Sequence, residues 1–116
     1  MSENVAVITD LIFRSRIELA ARAAGAAVAT VTSARGLAPR LAEGNVRLVI
    51  VDLDLPEDDV TAAIDAARAA GVERIVAYYP HVQKDLAERA KTAGATLVLP
   101  RSAFVAQLPE LLAGDP

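Results

Sequence analysis

Leu48-Val49-Ile50-Val51-Asp52-Leu53-Asp54-Leu55-Pro56 is the segment of this 116-residue chain that says most. Four large aliphatic residues follow one another without polar alternation, as in a strand covered on both faces. The run ends directly in Asp52. Glu57, Asp58 and Asp59 come next, so residues 52–59 hold five acids and no base. Crowded carboxylates repel one another unless a cation, a proton or water offsets the charge. Asp54, Glu57, Asp58 and Asp59 read as solvated loop and helix-start residues. Asp52, at the end of a buried strand, reads as a functional position.

Four more apolar runs flank this one: Val5–Thr9, Ala27–Val31, Arg74–Tyr78 and Thr96–Leu99. Helical spacing separates them. Leu11–Ala24 sets Phe13, Ile17, Ala20, Ala21 and Ala24 on one stripe, with Glu18 and Arg22 as an i,i+4 pair and Gly25 as a stop. Ser33–Glu43 opens on a capping Ser but contains Gly36 and Pro39, which predicts a short or broken helix. Asp58–Ala70 begins acidic and stops before Gly71, and His81–Ala93 carries Val82, Leu86, Ala90 and Ala93 on one face, with Asp85 and Arg89 paired outside. A last helix opens at Ser102 and runs to Leu112, interrupted by Pro109. Strand and helix thus alternate five times. That order predicts an α/β fold, a flavodoxin-like (βα)5 three-layer sandwich with parallel sheet order 2-1-3-4-5. Residues 1–113 form the one domain expected, and 114–116 a flexible tail.

Composition narrows the function. Hydrophobic residues make up 53% of the chain and charged residues 23%, a globular balance. Ala supplies 25 residues and buries little area, so Val, Leu and Ile must build the core. The absence of Cys excludes disulfides, thiolate nucleophiles and Cys-bound zinc, and a single His excludes His-rich metal sites. A net charge of −3 and only four aromatic residues (Phe13, Tyr78, Tyr79, Phe104) argue against a nucleic-acid partner. No apolar run is long enough for a membrane span, and the start Met1-Ser2-Glu3-Asn4 is unlike a signal peptide, so a cytoplasmic location is expected.

Two motifs carry a resemblance that spans nearly the whole chain. Asp52-Leu53-Asp54-Leu55-Pro56 is similar to the Asp-Leu-x-Leu-Pro around the phospho-accepting Asp of bacterial response regulator receiver domains. Ala93-Gly94-Ala95 followed by Leu97-Val98-Leu99-Pro100-Arg101 resembles that family's Ala-Gly-Ala, last strand and Lys. The resemblance implies Asp52 as phosphoacceptor, Arg101 in the place of the Lys, and Tyr79 in the place of a Thr or Ser that donates to the phosphoryl group. It also implies Mg²⁺ held by Asp10, Asp52 and Asp54, though the pattern is depleted. Counting back from Gly25 without gaps puts Ile8 and Thr9 at the two acidic positions of the family, and one gap puts Thr9 and Asp10 there. Asp10 is equally explained as a helix N-cap. Val98 stands where the family has a switch aromatic, and Ser102 where it has a Pro. A carboxylate and a cation remain, and the Arg101 fork is expected to pair with Asp52 or Asp54. These departures predict an atypical or pseudo-receiver, used in two-component signalling by protein–protein contact, with phosphotransfer to Asp52 weak or absent and no enzyme activity beyond that chemistry.

The face of helix 4, strand 5 and helix 5 is the expected contact surface, with Tyr78, Tyr79, His81, Lys84 and Phe104 on it and a homodimer left open. Arg14, Arg16 and Arg22 make the first helix a second candidate face, suited to an acidic partner. Three alternatives differ. A working receiver would be phosphorylated on Asp52 with Mg²⁺. A phosphatase of haloacid-dehalogenase type would use Asp52-x-Asp54, but Pro56 occupies its Thr or Val position and no paired acids follow a later strand. A nucleotide-binding module would need a Gly-x-Gly-x-x-Gly or Walker loop, and the chain has neither.

Overall fold

The computed structural model describes residues 3–80 and 84–113, Lys84 by its backbone only. The expected Tyr-Pro-His segment is therefore described only up to Pro80. His81, the side chain of Lys84 and the tail 114–116 lie outside the described residues. Five strands and five helices alternate: β1 (Glu3–Val7), α1 (Leu11–Ala23), β2 (Val28–Val31), α2 (Ala34–Ala42), β3 (Val46–Asp52), α3 (Glu57–Ala69), β4 (Arg74–Tyr79), α4 (Lys84–Ala93), β5 (Leu97–Pro100) and α5 (Arg101–Ala113). All pairings are parallel, and the sheet order is β2-β1-β3-β4-β5. This is the flavodoxin-like sandwich expected. No helix among the described residues is long and apolar enough to cross a membrane.

Each strand sends alternate side chains to opposite faces. Leu48 and Ile50 of β3 and Val76 and Tyr78 of β4 join Phe13 and Ile17 of α1 and Phe104 and Leu108 of α5 in one core. Val49, Val51, Ile75 and Ala77 face the other way, onto Leu37, Ala63, Ile64 and Ala90 of α2, α3 and α4. Both faces are covered, which is why the strands read as continuous apolar runs.

Local chemistry corrects several expectations. α2 is continuous rather than broken. Ser33 Oγ accepts the Gly36 N–H at 3.1 Å, Asp59 Oδ1 accepts the Ala34 N–H at 3.1 Å, and Leu37 is fully buried. Those contacts offset the one intrahelical bond that Pro39 removes. α5 begins at Arg101, one residue earlier than expected, and continues through Pro109 because Leu108, Leu111 and Leu112 hold both sides of it in the core. On α1 the ion pair is Arg14–Glu18 at 3.3 Å rather than Glu18–Arg22. Arg89 pairs with Glu57 across the α3–α4 contact rather than with Asp85. Gly25 ends α1 at φ +71°, a left-handed backbone open to Gly without strain.

Candidate functional site

The carboxyl ends of β1, β3, β4 and β5 bring Asp10, Asp52, Tyr78 and Arg101 to one notch. A strand–helix turn places each: Asp10 immediately precedes α1, Asp52 is the last residue of β3, and Arg101 is the first of α5. Asp52 is 2% exposed. Its Oδ1 accepts the Asp54 N–H at 2.8 Å, closing the turn after β3. Burial holds the Asp52 carboxyl above the ordinary value of 3.8, joined by the charge of Asp54 and opposed by the Asp54 N–H, the Tyr78 hydroxyl and the Arg101 charge.

Tyr78, rather than Tyr79, stands beside Asp52. Asp52 and Tyr78 are register partners, so their side chains leave the sheet on the same face. Tyr79 leaves on the other face and packs, half-buried, against the α3–α4 core. The two-residue period of the strand, continued from Leu48, Ile50 and Asp52, selects Tyr78. Tyr78 is fully buried and stacks on Phe104 at 4.6 Å between centroids, with Phe13 tilted against it at 4.9 Å. Its hydroxyl influences Asp52 but is buried without a hydrogen-bond partner. Burial, reinforced by the Asp52 charge, pushes the phenol far above its ordinary value.

Asp10 is an N-cap. Its Oδ1 accepts the Ile12 N–H at 3.0 Å and the Phe13 N–H at 3.1 Å. Its Oδ2 lies 3.7 Å from Arg101 Nη2. The Arg101 fork therefore meets Asp10, not Asp52 or Asp54 as expected, and its guanidinium carbon sits 4.8 Å over the Phe13 ring. Asp54 is exposed beyond the turn. Mg²⁺ takes oxygen ligands in a demanding octahedron, usually with one or two carboxylates. Here Ile8 and Thr9 stand in front of Asp10, and Asp10 has both oxygens engaged. No group of three or more His, Cys, Asp or Glu side chains converges among the described residues. The notch thus offers the ion a depleted donor set: Asp10 is held by its cap and by Arg101, and Asp52 is buried. A cleft of about 730 Å³ lies at the opposite end of the sheet, lined by Glu3, Gly25, Gly44, Arg47 and Leu112, and shares no residue with the notch.

The expected contact face also changes. Tyr78 and Phe104 are at 0% exposure and belong to the core, so neither can anchor a partner. Side-chain stacking around Phe13 draws them inward. The exposed large hydrophobic residues among those described are Leu11, Ile12 and Leu19 of α1, at 70, 83 and 61%. Arg16 and Arg22 are exposed on the same helix. Sequence reading found the arginines of this helix but placed its apolar residues only on the buried stripe.

No protein-family model matches the chain, and no curated protein matches it by sequence. Solved structures do. The receiver domain of the putative response regulator NarL from Mycobacterium tuberculosis aligns with a TM-score of 0.78 at 15% identity, over 96% of this chain and 92% of that one. A response regulator from Hahella chejuensis aligns at 0.83 and 18%, over 97% and 93%. The receiver domain of the sensor histidine kinase PA1611 from Pseudomonas aeruginosa, with magnesium coordinated in its active-site cleft, aligns at 0.81 and 21%, over 96% and 93%. At these identities the likeness is one of fold: the chain has the architecture of response regulator receiver domains.

Proposed function

We propose that the protein is a receiver-like signalling module that acts by protein–protein contact, with phosphotransfer to Asp52 weak or absent. The observation that carries this reading is the commitment of Asp10. Its carboxylate caps α1 with two hydrogen bonds and pairs with Arg101. Transfer of a phosphoryl group to a carboxylate needs an accessible nucleophile and neutralisation of the incoming charge. Asp52 is 2% exposed, and the carboxylate nearest the mouth of the notch, Asp10, is already engaged. The receiver fold, shared with regulators that work through protein partners, favours a contact role over an enzymatic one.

α1 is the better supported docking face. Among the described residues it alone combines exposed Leu11, Ile12 and Leu19 with the exposed cations Arg16 and Arg22, which suits a partner with an apolar stripe and acidic flanks. The α4–β5–α5 face keeps half-buried Tyr79 but has lost two of its expected anchors to the core. The second reading, a working switch phosphorylated on Asp52 with Mg²⁺, draws on the magnesium-bound Pseudomonas relative. Incubation with Mg²⁺ and acetyl phosphate, followed by intact mass, separates the two. Neither wild type nor Asp52→Asn should gain mass. A stoichiometric phosphoryl gain in wild type alone overturns the proposal.

A further inference from the structure

The outer face of α1 has an ordered pattern. Leu19 stands at its centre, with Arg16 three residues before it and Arg22 three residues after, about 60° to either side around the helix. Leu11 and Ile12 extend the apolar strip toward the start of the helix. Glu18, the one acid of α1, pairs with Arg14 at 3.3 Å. The face is thus apolar along its middle and positive along both margins. Two copies of it set against each other would bring like charges together. The complementary pattern lies across the sheet. α1 covers one face of the sheet, and α3 and α4 cover the other. An open groove of about 400 Å³ runs between α3 and α4, with Thr61 and Asp65 on one wall and Glu88, Thr92 and Ala93 on the other. Arg89, also in the groove, is taken up by Glu57. Exposed Asp65 and Glu88 therefore make the walls acidic. Buried Val60, Ile64 and Ala90 lie beneath them. Because the two surfaces lie on opposite sides of one sheet, a chain cannot satisfy its own.

We infer that the α1 face docks on a second copy of this chain, which receives Leu19 in its α3–α4 groove while Arg16 and Arg22 reach the acidic walls at Asp65 and Glu88. This inference rests on the reading of α1 as a docking face and names its partner. Charge complementarity carries it: the surface that is apolar with cationic margins meets, on the same chain, one that is apolar beneath acidic margins. The contact is heterologous. Each copy in a pair leaves one α1 face or one groove open, so association continues head to tail instead of stopping at a symmetric dimer. One helix laid in a shallow groove covers little area, which places the association in the weak, transient class.

The test is analytical ultracentrifugation of the full chain from micromolar to millimolar concentration, with no phosphodonor present. The mean mass of wild type should rise with concentration and pass that of a dimer. About 0.5 M NaCl should weaken the association at least about fivefold. Arg16→Gln with Leu19→Gln removes the apolar knob and one cation. Asp65→Lys with Glu88→Lys reverses the groove walls. Each double variant should associate at least about tenfold more weakly than wild type. An equimolar mixture of the two retains one native α1 face and one native groove, on different chains, so it should associate again and stop at a heterodimer. Circular dichroism verifies folding. If a double variant does not fold, the single substitutions Leu19→Gln and Asp65→Lys carry the same comparison. A wild type that stays monomeric at millimolar concentration overturns the inference, as does a mixture no more associated than its parts. So does a wild-type dimer that only one of the two variants disrupts, which would mark a symmetric contact. Phosphoryl uptake by wild type would instead strike the functional reading and leave these associations standing.

Discussion

Replacing Asp52 with Asn should make the protein more stable at neutral pH. Asp52 is 2% exposed at the end of a central strand, and burial is the largest influence on its carboxyl, raising it above 3.8. In the window between 3.8 and the raised native value, the folded state binds more protons than the unfolded one. Stability therefore falls as pH rises through that window, and the loss persists above it. Asn carries no charge and keeps the acceptor for the Asp54 N–H at 2.8 Å. Its amide can also donate to the Tyr78 hydroxyl, which has no partner in the wild type.

The size of the effect follows from opposing contributions. An incompletely paired polar group buried in the core costs about 1–3 kcal/mol, and Asn sheds the charge while keeping the acceptor for the Asp54 N–H. A gain of about 1 kcal/mol is expected for the uncharged variant. For a domain of this size that is a rise in Tm of about 5 °C or more. Thermal unfolding followed by circular dichroism, repeated from neutral to acidic buffer, measures it. The advantage of Asp52→Asn should shrink as pH falls through the raised native value toward 3.8 and be lost below it, where the wild-type carboxyl is protonated in both states. A variant less stable than wild type at neutral pH, or an advantage that does not change with pH, would refute the account of Asp52 as a carboxylate held against its desolvation cost.

Two further substitutions probe its neighbours. Asp10→Ala should lose about 1 kcal/mol in urea unfolding, because two first-turn N–H groups lose their acceptor, while Asp10→Asn, an equally good cap, should lose only the exposed pair with Arg101 and stay within about 0.5 kcal/mol of wild type. Tyr78→Phe removes a buried hydroxyl that has no partner and keeps the stack on Phe104, so it should be neutral or stabilising by up to about 1 kcal/mol in the same assay; a loss of that size would show that the hydroxyl is bonded to Asp52 in solution.

The fold was legible because its cause is local and repeated. A strand buried on both faces must be apolar at nearly every position, and Leu48–Val51 or Ile75–Ala77 can satisfy that only in the centre of a covered parallel sheet. α2 is short, as expected, but unbroken, because the cost of Pro39 is local, whereas its compensation is not: Asp59, which holds the Ala34 N–H, is 25 residues away. The site shows the same division. That Asp52 ends a strand is written in its own neighbours. Which tyrosine meets it depends on parity across two strands, where a step of one residue means the opposite face. Arg101 poses the hardest case. Asp10, Asp52 and Asp54 are all carboxylates within its general reach, and charge alone does not choose among them. Phe13 does: a ring three residues into α1, braced from behind by Tyr78 and Phe104, offers the guanidinium a face to lie on, and from that face the nearest carboxylate is the helix cap. The partner of the cation was therefore decided by an aromatic residue that sequence reading had assigned to the core alone.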